Sequence, residues 1–332
     1  MSIQISGCSG GNIIRDATAT IGDVLQGKTF YNNYGKQTGA LRVTSMSYDY
    51  ELSNLIAFDS SIRSDYRETA RYVCTFNDKL YIFWSIYADG YDDNWSYLIY
   101  DIPKKSWTIK KVNRDSMPSS QPIVVGNRIY VSSTSATTIC TLNIRNFSIY
   151  TVISTGWVYT FNNVFGELYW IFGKDGSSSN STCTLSKVNA DYSQTVVASN
   201  LPFGGAWLIC GYHEKIHMCY CLDDVKNSGH YMFANGELTQ LSDMPQCSYT
   251  ASYKDVFVLD DRMLLIRSNL RYMYNEDSDS WTKITGTIVS SNFELGEFFQ
   301  YKDRTYAICG KGSSSSKTYD IYEIYTRYNV RR

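Results

Sequence analysis

The chain has 332 residues, 43% hydrophobic and 19% charged with only 5 prolines, which supports a sizeable core and excludes intrinsic disorder. Its formal net charge of −1 gives no electrostatic reason to expect nucleic acid or an anionic membrane surface as a partner. No apolar run is long enough to span a bilayer as a helix, so no membrane insertion is expected.

Met1 to Cys8 carries neither a basic residue nor a long apolar stretch, so no signal peptide is expected. Residues 1–43 stand apart from the rest as an N-terminal module. Thr20 as N-cap, Asp23 three residues on and Gly27 as terminator predict one short helical turn. Lys28 to Tyr31 and Thr38 to Val43 then predict a β-hairpin around Asn32 to Gln37. The string Ala17-Thr18-Ala19-Thr20, Asp23-Val24-Leu25, Gly27-Lys28-Thr29, Tyr31, Gly35-Lys36 and Thr38-Gly39 resembles a small module of tail-tip, fibre and related structural proteins of bacteriophages. Phages and prophages of Gram-positive bacteria often carry it, ahead of a variable domain that contacts the host or another virion part. The resemblance implies a virion protein folded in the host cytoplasm. It would be held to other virion proteins through Asp23, Lys28, Tyr31, Gly35, Lys36 and Thr38, as a homo-oligomer or in many copies per assembly.

Residues 44–332 read as one domain of strands. Within 44–65, Ser47 to Glu51 and Leu55 to Phe58 alternate like strands. Part of Thr44 to Phe58 is expected to complete the last sheet, built from Phe298 to Val330, because an unclosed ring leaves bare edges. That sheet shows a third strand at Tyr319 to Tyr325 and a fourth at Arg327 to Val330.

The repeat is clearest from Arg71 to Trp107. Tyr72 to Phe76 meets a turn at Asn77-Asp78-Lys79, and the chain resumes as Leu80 to Trp84. After a polar loop, Tyr87 to Asn94, come Tyr97 to Tyr100 and a closing Trp107-Thr108-Ile109. Period-two alternation broken by Asn, Asp, Gly and Pro predicts four antiparallel strands in one small sheet. Tyr81 has equivalents at Tyr130, Tyr169, Ile216, Leu264 and Tyr306, in steps of 49, 39, 47, 48 and 42 residues. Such a period in an all-strand pattern predicts an all-β, six-bladed β-propeller.

The second half of the unit repeats as Tyr100 to Trp107 and Tyr274 to Trp281, each seven apart, with degenerate forms at Leu142 to Ile149 and Val188 to Thr195. Over about residues 66–329 this resembles the kelch repeat, in which a turn precedes an Ile-Tyr strand and a Tyr-Asp-x-x-x-x-x-Trp segment follows. The Gly-Gly doublet of that family is absent, with only Gly173 and Gly310 near its place.

Chemistry-bearing motifs are sparse. His213-Glu214-Lys215-Ile216-His217 matches the zinc-peptidase pattern, whose metal site needs both histidines on one helix face. Here the flanks Trp207 to Cys210 and Met218 to Cys221 are strand-like, so a polar turn is expected, with no metal and no cofactor. His230 is the one other histidine. The Asp-box of sialidases is absent, as are a glycine-rich phosphate loop and a nucleophile elbow. No enzymatic activity is expected. Most of the nine cysteines fall in strand patterns, where the thiol acts as a small hydrophobe of a protein folded under reducing conditions.

Loop lengths are uneven. Turns between first and second strands are short, whereas links between second and third strands are long at Tyr87 to Asn94, Gly173 to Ser181, Asp223 to Ser228 and Gly310 to Lys317. Elaborated loops on a rigid scaffold are where binding usually resides. Tyr91, Asp92, Asp93 and Trp95, with Lys174, Asp175 and Asn180, are the candidate contacts for a bacterial surface glycan or protein, since aromatic rings stack on sugars and carboxylates bind hydroxyls. The expectation is a tail fibre, receptor-binding protein or baseplate appendage, with a capsid or tail decoration protein and a carbohydrate-active propeller enzyme as alternatives.

Overall fold

The computed structural model describes residues 29–32, 35–38, 42–58, 70–85, 95–112, 118, 120–132, 137–154, 156–173, 182–202, 206–221, 228–245, 255–259, 262–267, 270–283, 293–302, 304–311 and 318–331. Every regular element among them is a strand. The expected helical turn from Thr20 to Gly27 lies outside the described residues. No helix among the described residues is long and apolar enough to cross a membrane.

Strands β1 (Thr29–Asn32) and β2 (Gly35–Thr38) form a small separate sheet in which Tyr31 faces Lys36 and Asn32 faces Gly35. The hairpin is tighter than its sequence suggests. Its second strand ends at Thr38, and Val43 belongs instead to β3 (Arg42–Leu52). The close pairing of Asn32 with Gly35 sets the register.

The other described strands form six four-stranded antiparallel sheets. Blade 1 holds β4 (Ala70–Phe76), β5 (Lys79–Ser85), β6 (Trp95–Asp101) and β7 (Ser106–Val112). Blade 2 holds β8 (Ile123–Val125), β9 (Arg128–Ser132), β10 (Thr138–Asn143) and β11 (Ser148–Ser154). Blade 3 is β12 (Trp157–Val164), β13 (Glu167–Gly173), β14 (Cys183–Val188) and β15 (Gln194–Leu201). Blade 4 is β16 (Ala206–Tyr212), β17 (Lys215–Cys221), β18 (Ser228–Ala234) and β19 (Glu237–Gln240). Blade 5 is β20 (Asp255–Leu259), β21 (Arg262–Arg267), β22 (Leu270–Asn275) and β23 (Ser280–Lys283). Blade 6 is β24 (Phe293–Tyr301), β25 (Arg304–Lys311) and β26 (Thr318–Arg331), with β3 as its outermost strand. The chain is a six-bladed β-propeller. First strands of neighbouring blades lie side by side (β24 by β4, β12 by β16, β16 by β20), which puts them innermost.

The sequence of each second strand explains the stacking of the blades. Strand side chains alternate between faces, yet these strands are apolar on both, as expected for sheets covered on both sides. In β5, Leu80 and Ile82 pack toward blade 6 with Tyr306 and Ile308, while Tyr81 and Phe83 pack toward blade 2 with Ile129 and Val131. In β13, Leu168 and Trp170 face blade 2, and Ile171 faces blade 4 with Ile209 and Met218. Tyr81, Tyr130 and Trp170 are buried, as their strand positions predict. Each such side chain contributes about 1.5–3 kcal/mol by burial.

The seven-residue spacing of the second half-unit is a cross-strand pair. Tyr100 lies directly opposite Trp107, and Tyr274 opposite Trp281, with ring centroids 4.8 Å and 5.1 Å apart. The connecting turns end on Lys105 (φ 51°) and Asp279 (φ 42°), the left-handed residue that a hairpin loop of this length needs. Leu142 pairs with Ile149 in the same way. Val188 instead pairs with Gln194, because five residues, 189–193, link these strands where the other three hairpins have four. Glycine is required at one ladder position: Gly229 lies opposite Tyr220, and a Cβ there would run into the Tyr220 ring. Gly229→Ala is expected to lower stability by about 1–3 kcal/mol in denaturant unfolding, the usual cost of overpacking.

Ring closure joins the two ends of the chain. Strand β26 pairs with β25 only from Thr318 to Ile324, opposite Lys311 to Thr305. From Tyr325 to Arg331 its described partner is β3 alone, from Asp49 to Arg42. No turn residue interrupts Tyr325 to Arg327, so the expected fourth strand at Arg327 to Val330 is the continuation of the third. The result is a two-stranded ribbon roughly 20 Å long at ~3.3 Å per residue. It leaves blade 6 at the end where Tyr301 turns back to Arg304, the face that carries the short turns.

Candidate functional site

Six of the loop residues selected from sequence, Tyr91, Asp92, Asp93, Lys174, Asp175 and Asn180, lie outside the described residues. Trp95 opens β6, opposite Ser85 and Val112. The strand ends that bracket these loops, Ser85 with Trp95 and Gly173 with Cys183, are paired neighbours on the face opposite the short turns. Among the attachment residues, Asp23 and Lys28 lie outside the described residues. Tyr31, Gly35, Lys36 and Thr38 all fall on the β1–β2 hairpin.

The densest group of functional side chains among the described residues is the seam between blades 4 and 5. It begins at the turn of the His-Glu-x-x-His string. Tyr212 pairs with Lys215, which leaves His213 and Glu214 as a two-residue turn with φ of 46° and 62°. His213 stacks on Tyr212 at 3.8 Å and its Nδ1 lies 2.6 Å from Glu276 Oε2. Lys215 Nζ donates to the other oxygen of Glu276. Burial raises the Glu276 pKa, but the bonds from Lys215 and His213 outweigh it and hold the carboxyl below its ordinary value. Tyr212, His213 and Glu276, with Arg262, Met273, Tyr274, Asn275 and Asp277, line a cleft of about 180 Å³ on the short-turn face.

His217 does not share this surface. It lies in β17 opposite Cys210, fully buried, with Nδ1 2.9 Å from Nε2 of His230 in β18. Tyr274 and Trp281 of blade 5 pack on His230 at 4.7 Å and 5.3 Å. In a histidine–histidine bond one ring donates and the other accepts, and His217 Nε2 and His230 Nδ1 have no hydrogen-bond partner among the described residues. Burial is the main force on both rings and holds their pKa values at about 4 and about 3, so both are neutral at pH 7. The two histidines of the string therefore point to different places, one to the rim and one to the interior. Among the described residues no three His, Cys, Asp or Glu side chains converge to hold a metal. Sequence reading took the string as one polar turn and gave His230 no role. The signal for the buried pair was the alternation itself, which puts His217 and Cys219 on one face of β17, with His230 directly opposite Cys219.

No protein-family model and no curated protein matches the chain. Solved structures match its fold. The acylaminoacyl peptidase of Pyrococcus horikoshii aligns at 10% identity over 77% of this chain and 51% of its own, with a TM-score of 0.47. The propeller domain of the trilobed protease of Pyrococcus furiosus aligns at 6% identity over 80% and 96%, with a TM-score of 0.44. A fungal alcohol oxidase in complex with copper aligns at 10% identity over 85% and 76%, with a TM-score of 0.42. The chain spans about half the length of the acylaminoacyl peptidases it matches. The solved propellers it is similar to are peptidases, a protease domain and an oxidase. The expectation that the chain has no enzymatic activity is therefore withdrawn. At these identities the likeness shows the fold alone and assigns no reaction.

Proposed function

We propose that the chain is an attachment component of a bacteriophage particle, a tail fibre, receptor-binding protein or baseplate appendage with a kelch-type propeller. The observation that carries the reading is the polarity of the molecule. The N-terminal string that resembles phage tail and fibre modules leads through the β1–β2 hairpin into β3, and β3 joins the ring from the short-turn face. The long links between second and third strands open on the opposite face, from strand ends such as Ser85 and Trp95. One end thus docks on the particle and the other presents loops to a surface glycan or protein of a Gram-positive host. Many copies per particle multiply a modest single-site affinity.

The test is binding of a fluorescent fusion of the full chain to candidate Gram-positive cells, beside a variant with Tyr91→Ala, Asp92→Ala and Trp95→Ala. Binding by the parent and loss in the variant are expected. Retained binding moves the site to other loops. Absence of binding by a multimerised probe across hosts would overturn the receptor-binding role and leave decoration of the particle as the better reading.

A further inference from the structure

All three histidines of the chain stand at one seam, between blades 4 and 5. His217 and His230 form the buried pair, and Tyr212 and Tyr274 meet His217 edge-on at 5.8 Å and 5.7 Å. At the rim above them, the bonds that join the two blades end on carboxylates. Glu276, in the turn between β22 and β23, accepts from Lys215 of β17 and lies against His213. Asp279, in the same turn, accepts from the backbone N–H of Ser242, just past β19, at 2.9 Å. The described bonds across the three preceding seams use amides and an arginine instead. Gln121 bonds the backbone of Val73 between blades 1 and 2. Asn163 and Arg128 donate to backbone carbonyls between blades 2 and 3, and Asn162 does so between blades 3 and 4. Amides and guanidinium keep their protonation state between pH 4 and pH 7, whereas imidazole and carboxylate do not.

We infer that the seam of blades 4 and 5 is a proton-operated joint, opened by mild acid while blades 1 to 3 stay closed. The closed seam suits the histidine pair only while both rings are neutral. One added proton brings a positive charge in among Tyr212, Tyr274, Trp281, Cys210 and Cys219, and a second sets two N–H groups face to face across 2.9 Å. Once the blades part, both rings meet water and take up protons at an ordinary pKa of roughly 6.5. Burial is the main force against the charged form in the closed seam. Of the charged groups that face the pair, Glu276 and Asp279 on the β22–β23 turn favour protonation, and Lys215 and His213 on the β16–β17 hairpin oppose it. Burial keeps the Tyr274 hydroxyl and the Cys219 thiol neutral throughout this range. The carboxylates do not offset burial, so acid drives the seam toward its open form. Glu276 is held below its ordinary value and stays ionised in mild acid, so the rim bonds outlast the interior and act as the hinge.

The test is native-state hydrogen exchange of the full chain in low urea, at pH 7 and at pH 5, with each amide's rate divided by its unstructured rate at the same pH. Protection of β17, β18 and β22 is expected to fall roughly a hundredfold or more over this range, the linkage of two released rings. It should fall through an opening that low urea barely changes, as local openings do. Strands β5, β9 and β13 are expected to stay about tenfold or more better protected at pH 5, with the full urea slope of global unfolding. His217→Leu with His230→Leu is expected to abolish the seam's response. His230→Gln keeps a neutral partner for His217 and is expected to reduce the fall to roughly ten- to thirtyfold, the linkage of one ring, which decides the matter if the double variant does not fold. His213→Ala is expected to leave the response intact, because that ring already stands at the surface. Equal protection and urea slope in all these strands at pH 5 would overturn the inference. So would a seam indifferent to pH, a full response in His230→Gln, or its loss in His213→Ala.

Discussion

Acidification from pH 7 to pH 4 is expected to destabilise the propeller by several kcal/mol, through His217 and His230 at the seam of blades 4 and 5. Both rings are fully buried. Burial is the largest influence on each. For His217, Glu276 and Asp279 favour the charged form, whereas Lys215 and His213 oppose it. For His230, His217 opposes the charged form and Asp279 favours it. Tyr212, Tyr274, Trp281 and Cys219 complete the surroundings and bring no compensating charge at these pH values. The folded pKa values, about 4 and about 3, lie below the unfolded value of roughly 6.5. Below pH 6.5 the unfolded chain therefore takes up protons that the folded chain refuses. Stability is complete above that pH and falls on acidification, by up to about 1.4 kcal/mol per pH unit for each ring, until the folded values are reached. The sign follows from neutral burial and is opposite to that of a histidine held by a carboxylate. Denaturant unfolding between pH 7 and pH 4 checks it. His217→Leu with His230→Leu is expected to remove most of the slope, and equal slopes in parent and variant would refute the assignment.

A larger effect is expected from loss of the closing strand. A chain that begins at residue 39 keeps β3 and should unfold with the parent's cooperativity and midpoint. A chain that begins at residue 53 lacks β3, which pairs with β26 over its whole length from Leu52 to Arg42. Backbone hydrogen bonds are worth about 0.5–1.5 kcal/mol each, so this strand contributes several kcal/mol, comparable with the 5–15 kcal/mol net stability of an ordinary domain. The shorter chain also exposes all of β26 as a bare edge. It is expected to lose its cooperative transition and to aggregate, as seen by calorimetry and light scattering. A midpoint within a few degrees of the parent's would show that blade 6 closes without β3.

Much of the propeller was legible in the sequence because it rests on local signals. The doubly apolar second strands, exemplified by Leu80 to Phe83, need only period-two alternation to be read, and the short turns at Asn77-Asp78 and Gly166 announce themselves by residues that tolerate positive φ. The seven-residue step from Tyr100 to Trp107 survives as a cross-strand pair. What failed were features set by distant partners. The extension of β26 to Arg331 depends on β3, some 280 residues away in sequence, and no turn signal marks where β25 stops pairing. The His217–His230 pair joins two strands through a register that the intervening loop conceals. The His-Glu-x-x-His string was read correctly as non-helical, but the separate destinations of its two histidines follow from strand geometry around a two-residue turn.

Orientation on the particle tests the account most directly. A short peptide tag is placed at the N-terminus in one full-length chain and between residues 177 and 178 in another. Phage particles carrying each chain are then labelled with antibody and viewed by electron microscopy. The loop tag is expected to be decorated on the outer surface of intact particles, with the N-terminal tag masked until the particle is dissociated. A masked loop tag with an exposed N-terminus, or particles that never incorporate the chain, would contradict it.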